Sequence, residues 1–480
     1  MVACIETPRE SFQESYDHEE FLNVVIDDEA PMEGNDRAET VSYDSEKDAE
    51  HENDCFMECH EDVVDDQLEG SSECSSHDNN NNLLELKAST KKALLDFRCK
   101  IEEAISGHYL YKHTDSNENL NKKEAENLKE LELWNVPLSP SKGHEATDLI
   151  LLKFLKAKDY KVSEAFEMLR KTLSWRREWQ VDKILDENFE ELEDLAFINS
   201  TDREGRPLCY SMFTAFNDRK LYKETFGSET KHEKFLRWRT QCFEKGVRQL
   251  SFNTSNVKNI GIVQIIDVNN LPAGGGLKEF RSMCKKASTL LQDYYPELVY
   301  RNILINVPLW FYAFRVVLSR HLTPRSYKKY VLARPAKVTE TLLKYIAPES
   351  LPIRYGGLNR DDDDKEFSPM NRTSQFVIRG GMSRSIKIPI EEGGVTVVWD
   401  IATSIGREVT YREEFIPDDE GSYRILLSIG KKMVNGVRNS FYISEPGMLV
   451  ITVSNPSFKT KRVFYRFKMK PTVPPYILLK

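Results

Sequence analysis

No stretch of this sequence stays apolar for long. A membrane span needs about 20 consecutive apolar residues, and the most apolar region, residues 290–330, is interrupted by Arg301, Arg315 and Arg320. The amino end carries no apolar run either, so neither a secretory signal nor a membrane span is expected. Cysteine is sparse and scattered: Cys4, Cys55, Cys59, Cys74, Cys99, Cys209, Cys242 and Cys284. Without a secretory signal these read as reduced cytosolic thiols rather than a disulfide framework. The acceptor-like tripeptides at Asn199, Asn253 and Asn371 are then expected to stay unmodified.

Enzyme signatures are also missing. Cys242 and Arg248 have phosphatase-like spacing, but Gln241 replaces the preceding His, Gly246 is misplaced for a phosphate cradle, and the segment reads as helix. The loop from Leu271 to Leu277, "LPAGGGL", lacks the Lys and Ser/Thr of a phosphate loop. Cys55 to His60 offer three metal ligands with no second pair. No catalytic residue, metal site or cofactor is expected, and the chain is not expected to be an enzyme.

Basic residues are nearly absent from the first 80 positions, where Arg9, Arg37 and Lys47 face 26 Asp and Glu. That segment is too polar to build a core, and residues 1–82 are expected to form a disordered acidic tail. The chain as a whole carries 77 acids, 67 bases and a net charge of −10. Setting the tail aside leaves 51 of those acids and 64 of those bases, so the remainder is basic by 13. A basic body suits either nucleic acid or an anionic membrane surface.

Hydrophobic periodicity organises that body. Leu94, Phe97, Ile101, Ala104 and Ile105 fall at helical spacing. "KKEAENLKELELW" predicts a second helix running to Trp134, so residues 83–143 read as a helical extension. Thr147 is placed to cap a helix carrying Ile150, Leu151, Phe154 and Leu155, and a further helix buries Ala165, Phe166, Leu169, Leu173 and Trp175. Strands are expected after Gly205, over the nearly continuous apolar run Asn259 to Val268, and over "RNILINV" and "KKYVLA", with helices between. That alternation predicts an α/β domain with a mostly parallel sheet. Residues 144–190 supply its amino-terminal helices and 191–358 its body; 359–370, with "NRDDDDK", read as an exposed acidic linker. From residue 371 to 475, short alternating segments separated by Gly, Pro, Asn or Asp predict an all-β sandwich. Its last strand holds Lys459, Lys461, Arg462, Arg466, Lys468 and Lys470 with no acid, and is expected to meet an anionic leaflet. Each such base near the surface is worth about 1 kcal/mol.

The order "LLKFLKAKDYKV", "DREGRPL", "QIIDV", "LLQDYYPELVYRNILINVP", "LTPRSYKKYVL", "LPIRYGGL" across residues 144–358 resembles the CRAL-TRIO lipid-binding family, which includes the yeast phosphatidylinositol-transfer proteins. The carboxyl-terminal sandwich resembles a GOLD domain, and the whole arrangement is similar to the plant patellins. The resemblance implies a headgroup site at Lys158, Glu297, Ser326 and Lys329, with lysines answering a lipid phosphate and the acid accepting from inositol hydroxyls. It also implies a pocket and mobile gate including Ile262, Gln264, Trp310, Phe311, Phe314 and Val317. Where the yeast-type proteins place hydroxyls for a phosphatidylcholine headgroup, this chain has Ile262 and Gln264, so a simple exchange cycle is not implied. The expected partners are phosphoinositides and anionic membranes rather than nucleic acid, with protein partners of the GOLD domain left open. The expected location is cytoplasmic and peripheral to membranes, at the cell plate or plasma membrane, in trafficking and plant cytokinesis. Two other readings stay open: a membrane-recruited adaptor, and a carrier of another hydrophobic ligand.

Overall fold

In the computed structural model the described residues are 86–107, 109–111, 130–252, 260–271, 278–309, 327–360, 366–367, 371, 373–406 and 408–472. The acidic segment expected to be disordered lies outside them. Helix α1, Ala88–Ser106, buries Leu94, Phe97, Ile101, Ala104 and Ile105, the face that its three- and four-residue spacing predicts. It packs on α2, Glu145–Ala157, and α3, Val162–Glu178, in one apolar cluster.

Between α1 and α2 the structure departs from the expected helix. Residues from Glu132 form a short hairpin, β1 (Glu132–Leu133) with β2 (Val136–Pro137). Trp134 and Asn135 both take positive φ, 54° and 62°, which ends any helix and makes a tight reversal. The reversal seats the Trp134 ring among Phe154, Phe252 and Tyr295. Residues 122–129 of the expected helix lie outside the described ones. The cap of α2 also differs: His144 Nδ1 accepts from Ala146 N, while Thr147 sits inside the helix and donates to Pro137 O at 2.7 Å.

The α/β domain is a five-stranded sheet in the order β3-β4-β5-β6-β7: Ala196–Thr201, Pro207–Met212, Ile262–Asp267, Val299–Ile305 and Tyr330–Ala333. Only the β3–β4 pair is antiparallel, in line with the expected topology. Among the described residues, helices α4 (Arg219–Phe226), α5 (Glu229–Val247), α6 (Lys278–Tyr294) and α7 (Val338–Leu343) accompany it. Alternation along each strand divides the sheet into two faces. Leu208, Tyr210, Val263, Ile265, Ile303, Ile305 and Ala333 pack with Val338 and Leu342 of α7. On the other face, Cys209 and Ile262 pack with Phe243 and Val247 of α5.

The sandwich comprises β8 (Ser374–Ile378), β9 (Ser383–Ile390), β10 (Val395–Thr403), β11 (Val409–Pro417), β12 (Ile425–Met433), β13 (Gly436–Ile443), β14 (Gly447–Ser454) and β15 (Lys461–Pro471). Two four-stranded sheets, β13-β10-β15-β8 and β12-β11-β14-β9, close on a core that includes Ile388, Val397, Trp399, Phe415, Leu449 and Val463. Strand β13 is an edge strand whose core-facing Val437 and Phe441 are only half-buried, so its sequence carries little alternation to announce it.

The sandwich docks directly on the α/β domain. Leu358 and Leu343 pack with Ala402 and Phe464. Ile405 N donates to Thr339 Oγ1 at 2.9 Å, and Arg466 Nη2 donates to Leu358 O at 2.8 Å. The junction is also fixed by a carboxylate with no solvent exposure, Asp400. Register places Asp400 between Arg438 of β13 and Arg466 of β15, at 2.6 and 3.2 Å, and Arg360 approaches it at 2.9 Å. The expected exposed linker is therefore anchored at both described ends. Asn359 bonds Asn199 and Leu351, and Phe367 is buried against the cations of Arg438, Arg466 and Lys468. Residues 361–365 lie outside the described ones.

Removing one member of a buried ionic cluster typically destabilises by about 3–5 kcal/mol. Asp400→Ala should lower the unfolding free energy of the sandwich by that order, read as a lower urea midpoint, and open the 359–367 segment to limited proteolysis. An unchanged midpoint would show that the arginines are satisfied without Asp400.

Candidate lipid-headgroup site

The site is built on the leads into β6 and β7. At the end of α6, Tyr294 stacks on Trp175 with ring centroids 4.2 Å apart. Tyr295 is fully enclosed and donates to Glu244, whose carboxylate also receives Arg176 Nη1 at 2.6 Å. Burial beside that carboxylate holds the Tyr295 phenol well above its ordinary pKa, so it remains a donor. The two tyrosines thus fix the chain immediately before Glu297, which adopts a left-handed φ of 55°.

That conformation turns the Glu297 carboxylate to Lys329, the residue before β7. Lys329 Nζ stands 3.3 Å from both carboxylate oxygens, and both side chains remain partly exposed. The two expected headgroup residues are therefore brought together by adjacent parallel strands, with Asn302 N bonded to Lys329 O at 2.8 Å. Arg301 donates to the carbonyl of Lys328 and steadies the same turn.

Sequence reasoning missed Lys153. Its Nζ donates to Ile260 O at 2.6 Å and to Glu297 O at 3.1 Å, so one ammonium ties the leads of β5 and β6 together. The residue is half-buried overall, but the nitrogen end is enclosed, and burial pulls its pKa down from 10.5 to about 7. Glu297 opposes that shift, while Lys156, Lys329 and Arg206 add to it. A neutral amine still has donors for both carbonyls. The available signal was a single base within the apolar run Leu149 to Leu155.

The other expected site residues are placed differently. Lys158 is the C-cap of α2, and its charge acts on the Asp293 carboxyl, which burial raises. Ile262 does not line an open chamber: it has no exposure, and its Cδ1 lies 3.0 Å from where a Cβ on Gly246 would be. Gln264 is buried, and among the described residues its Nε2 has no hydrogen-bond partner. Register aligns Cys209, Gln264, Asn302 and Tyr330 in one cross-strand row, and Ser211, Ile266, Leu304 and Leu332 in the next on the same face. Across β6 and β7 this face is only half-covered, whereas Ile303, Ile305 and Ala333 opposite are buried. Ser326, Trp310, Phe311, Phe314 and Val317 lie outside the described residues.

The basic final strand needs correction. Lys461 is buried, with its Nζ bonded to Ser404 O and Ile405 O, and Arg466 is buried at the domain junction. Lys468 and Lys470 pair with Glu366 at 3.3 and 2.8 Å. Lys459 and Arg462 are exposed. Among the described residues no helix is long and apolar enough to cross a membrane.

Three family patterns match this chain: CRAL/TRIO, N-terminal domain, over residues 108–171; CRAL/TRIO domain over 193–357; and Patellin-1-like, C-terminal GOLD domain, over 379–461. The chain is 50% identical to Patellin-4 of Arabidopsis thaliana over 347 residues, 71% of this chain and 62% of that protein, so it spans less than two thirds of that relative. It is 37% identical to Patellin-3 of the same plant over 396 residues, 81% of this chain and 76% of that one. It is 30% identical to the phosphatidylinositol transfer protein SFH5 of Scheffersomyces stipitis over 223 residues, 43% of this chain and 66% of that one.

The depressed Lys153 has a thermodynamic signature. Between about pH 7 and 10.5 the unfolded chain holds a proton that the folded chain has released, so stability rises with pH across that window. Lys153→Met removes this contribution, and each unit of pKa depression is worth about 1.4 kcal/mol. Urea unfolding at intervals across the window should show wild type gaining on the variant as pH rises. A difference independent of pH would reject a depressed lysine.

Proposed function

The chain belongs to the patellin family, and on that footing we propose that it carries or presents a phosphoinositide at membranes without making or breaking a bond. The observation that carries this reading is the Glu297–Lys329 pair at the edge of a half-covered sheet face. Lys329 supplies charge for a phosphate and Glu297 accepts from inositol hydroxyls. Acyl chains lie against the Asn302–Leu304 side of the sheet. Enclosure matters energetically: exposing two acyl chains to water costs on the order of 20 kcal/mol, at about 0.8 kcal/mol per methylene. The buried Gln264 amide adds a polar group to the same face. The name of the matched transfer protein supports phosphatidylinositol as the lipid class.

The phosphatase-like spacing of Cys242 and Arg248 supports a carrier rather than a catalyst. Cys242 is buried within α5, and burial pushes its thiol up to about 12, the reverse of an activated nucleophile. Family membership supports a role in membrane trafficking, including cell-plate formation in plant cytokinesis, from the cytoplasmic side of the membrane.

A charge-assisted bond to phosphate contributes about 1.5–3 kcal/mol, or roughly tenfold to a hundredfold in affinity. Lys329→Ala should therefore depress phosphatidylinositol transfer between vesicle populations by at least about tenfold. Native mass spectrometry should find a retained phosphoinositide in the wild-type chain and less in the variant. Undiminished transfer by Lys329→Ala would sink the headgroup assignment.

A further inference from the structure

Two adjacent loops at one end of the sandwich hold apolar side chains out into water. The loop between β8 and β9 presents Met382, 59% exposed, and the loop between β14 and β15 presents Phe458, 94% exposed. Single exposed apolar residues are ordinary on protein surfaces. These two are different because the loops beneath them are built and clamped to each other.

Asn455 is the clamp. It is 1% exposed; its amide nitrogen donates to Ile378 O and Lys459 O, and its side-chain oxygen accepts from Ser457 N and Ser457 Oγ. Its main chain joins the loops, with Asn455 N donating to Met382 O at 2.9 Å and Gly381 N to Asn455 O at 2.8 Å. The approach is close enough that a Cβ on Gly380 would lie 2.5 Å from the carbonyl oxygens of Ser457 and Phe458. Phe458 is therefore displayed by an ordered scaffold.

Charge surrounds the two tips with one sign. Arg379, Arg384, Lys459 and Arg462 are exposed beside them. Residues 371–390 and 446–472 contain no Asp or Glu. Glu408, at the same end of the sandwich, is paired with Lys432 at 2.9 Å. This is also the end at which Ile405 bonds to Thr339 of the α/β domain.

We propose that Met382 and Phe458 form a membrane-docking tip that inserts into the interface of an anionic phospholipid leaflet, with Arg379, Arg384, Lys459 and Arg462 against the headgroups. It rests on the membrane association proposed above and locates it outside the lipid-binding domain. A fluid leaflet can close around two protruding side chains, whereas a protein partner would need a matching pocket for each. Interfacial binding scales with buried apolar area plus attraction of bases to anionic lipid, and this tip supplies both.

The test uses the full chain and vesicles of phosphatidylcholine with or without phosphatidylserine. The double variant Met382→Asp, Phe458→Asp should bind the phosphatidylserine vesicles at least about tenfold more weakly, since burying each side chain is worth roughly that factor or more. Both positions are exposed, so folding should be unaffected. Phe458→Trp should retain binding, and its emission, taken as the difference from wild type, should shift to the blue on vesicles. Arg379→Gln with Lys459→Gln should weaken binding and flatten its salt dependence. Equal binding by wild type and the double Asp variant overturns the proposal, as does failure of wild type to bind these vesicles. Native mass spectrometry reports the lipid pocket separately. A chain that retains lipid yet shows no tip-dependent binding refutes the tip alone. Tip-dependent binding by a chain that retains no lipid supports the tip and counts against the carrier.

Discussion

Asp400 is the group on which the relation between the two domains depends. An ionised carboxylate without solvent exposure is tolerable only where positive charge surrounds it. Three arginines do so from three places: one strand on each side and the segment leaving the α/β domain. Because Arg360 comes from that segment, satisfying the charge also sets where the sandwich sits. Arg466 extends the constraint by reaching the carbonyl of Leu358, and Phe367 caps the cations with its ring. The attachment is polar and specific at its centre and apolar around Leu343, Leu358, Ala402 and Phe464.

The proposed headgroup site follows a similar logic on a smaller scale. Glu297 occupies a backbone region uncommon for a residue with a side chain. It is held there from two directions, by the enclosed Tyr295 on one side and by Lys153 gripping its carbonyl on the other. The pair it makes with Lys329 is partly exposed and contributes little to stability by itself. Its value lies in position, since both side chains stand at the edge of a sheet face that is half-exposed across β6 and β7.

Much of this was legible in the sequence. Helical spacing located α1 and α3, and the apolar run around Ile262 to Asp267 announced a central parallel strand. Alternation located most of the sandwich. What escaped was whatever depended on a second element. Trp134 and Asn135 lie in a helix-like composition, and only the aromatic socket of Phe154, Phe252 and Tyr295 explains their reversal. Arg466 shares an outward face with Phe464, and that face is buried only because another domain covers it. Glu297 and Lys329 came from the family resemblance, whereas Lys153 was hidden by its apolar neighbours. Met382 and Phe458 carry no signal in the sequence, because the clamp at Asn455 is a three-dimensional feature.

The glycines at the domain junction set limits on modularity. A Cβ on Gly436 would lie 2.6 Å from Ile401 O and 2.9 Å from the Ile353 Cδ1 of the α/β domain, and one on Gly356, where φ is 84°, would lie 2.9 Å from Thr403 O. At Gly356 the two domains therefore meet backbone to backbone, and at Gly436 the Ile353 side chain lies against a strand position without a side chain. A sandwich grafted from an unrelated chain could reproduce every strand and still fail to seat. An engineer exchanging these domains would have to transplant both sides of the seam together, glycines included.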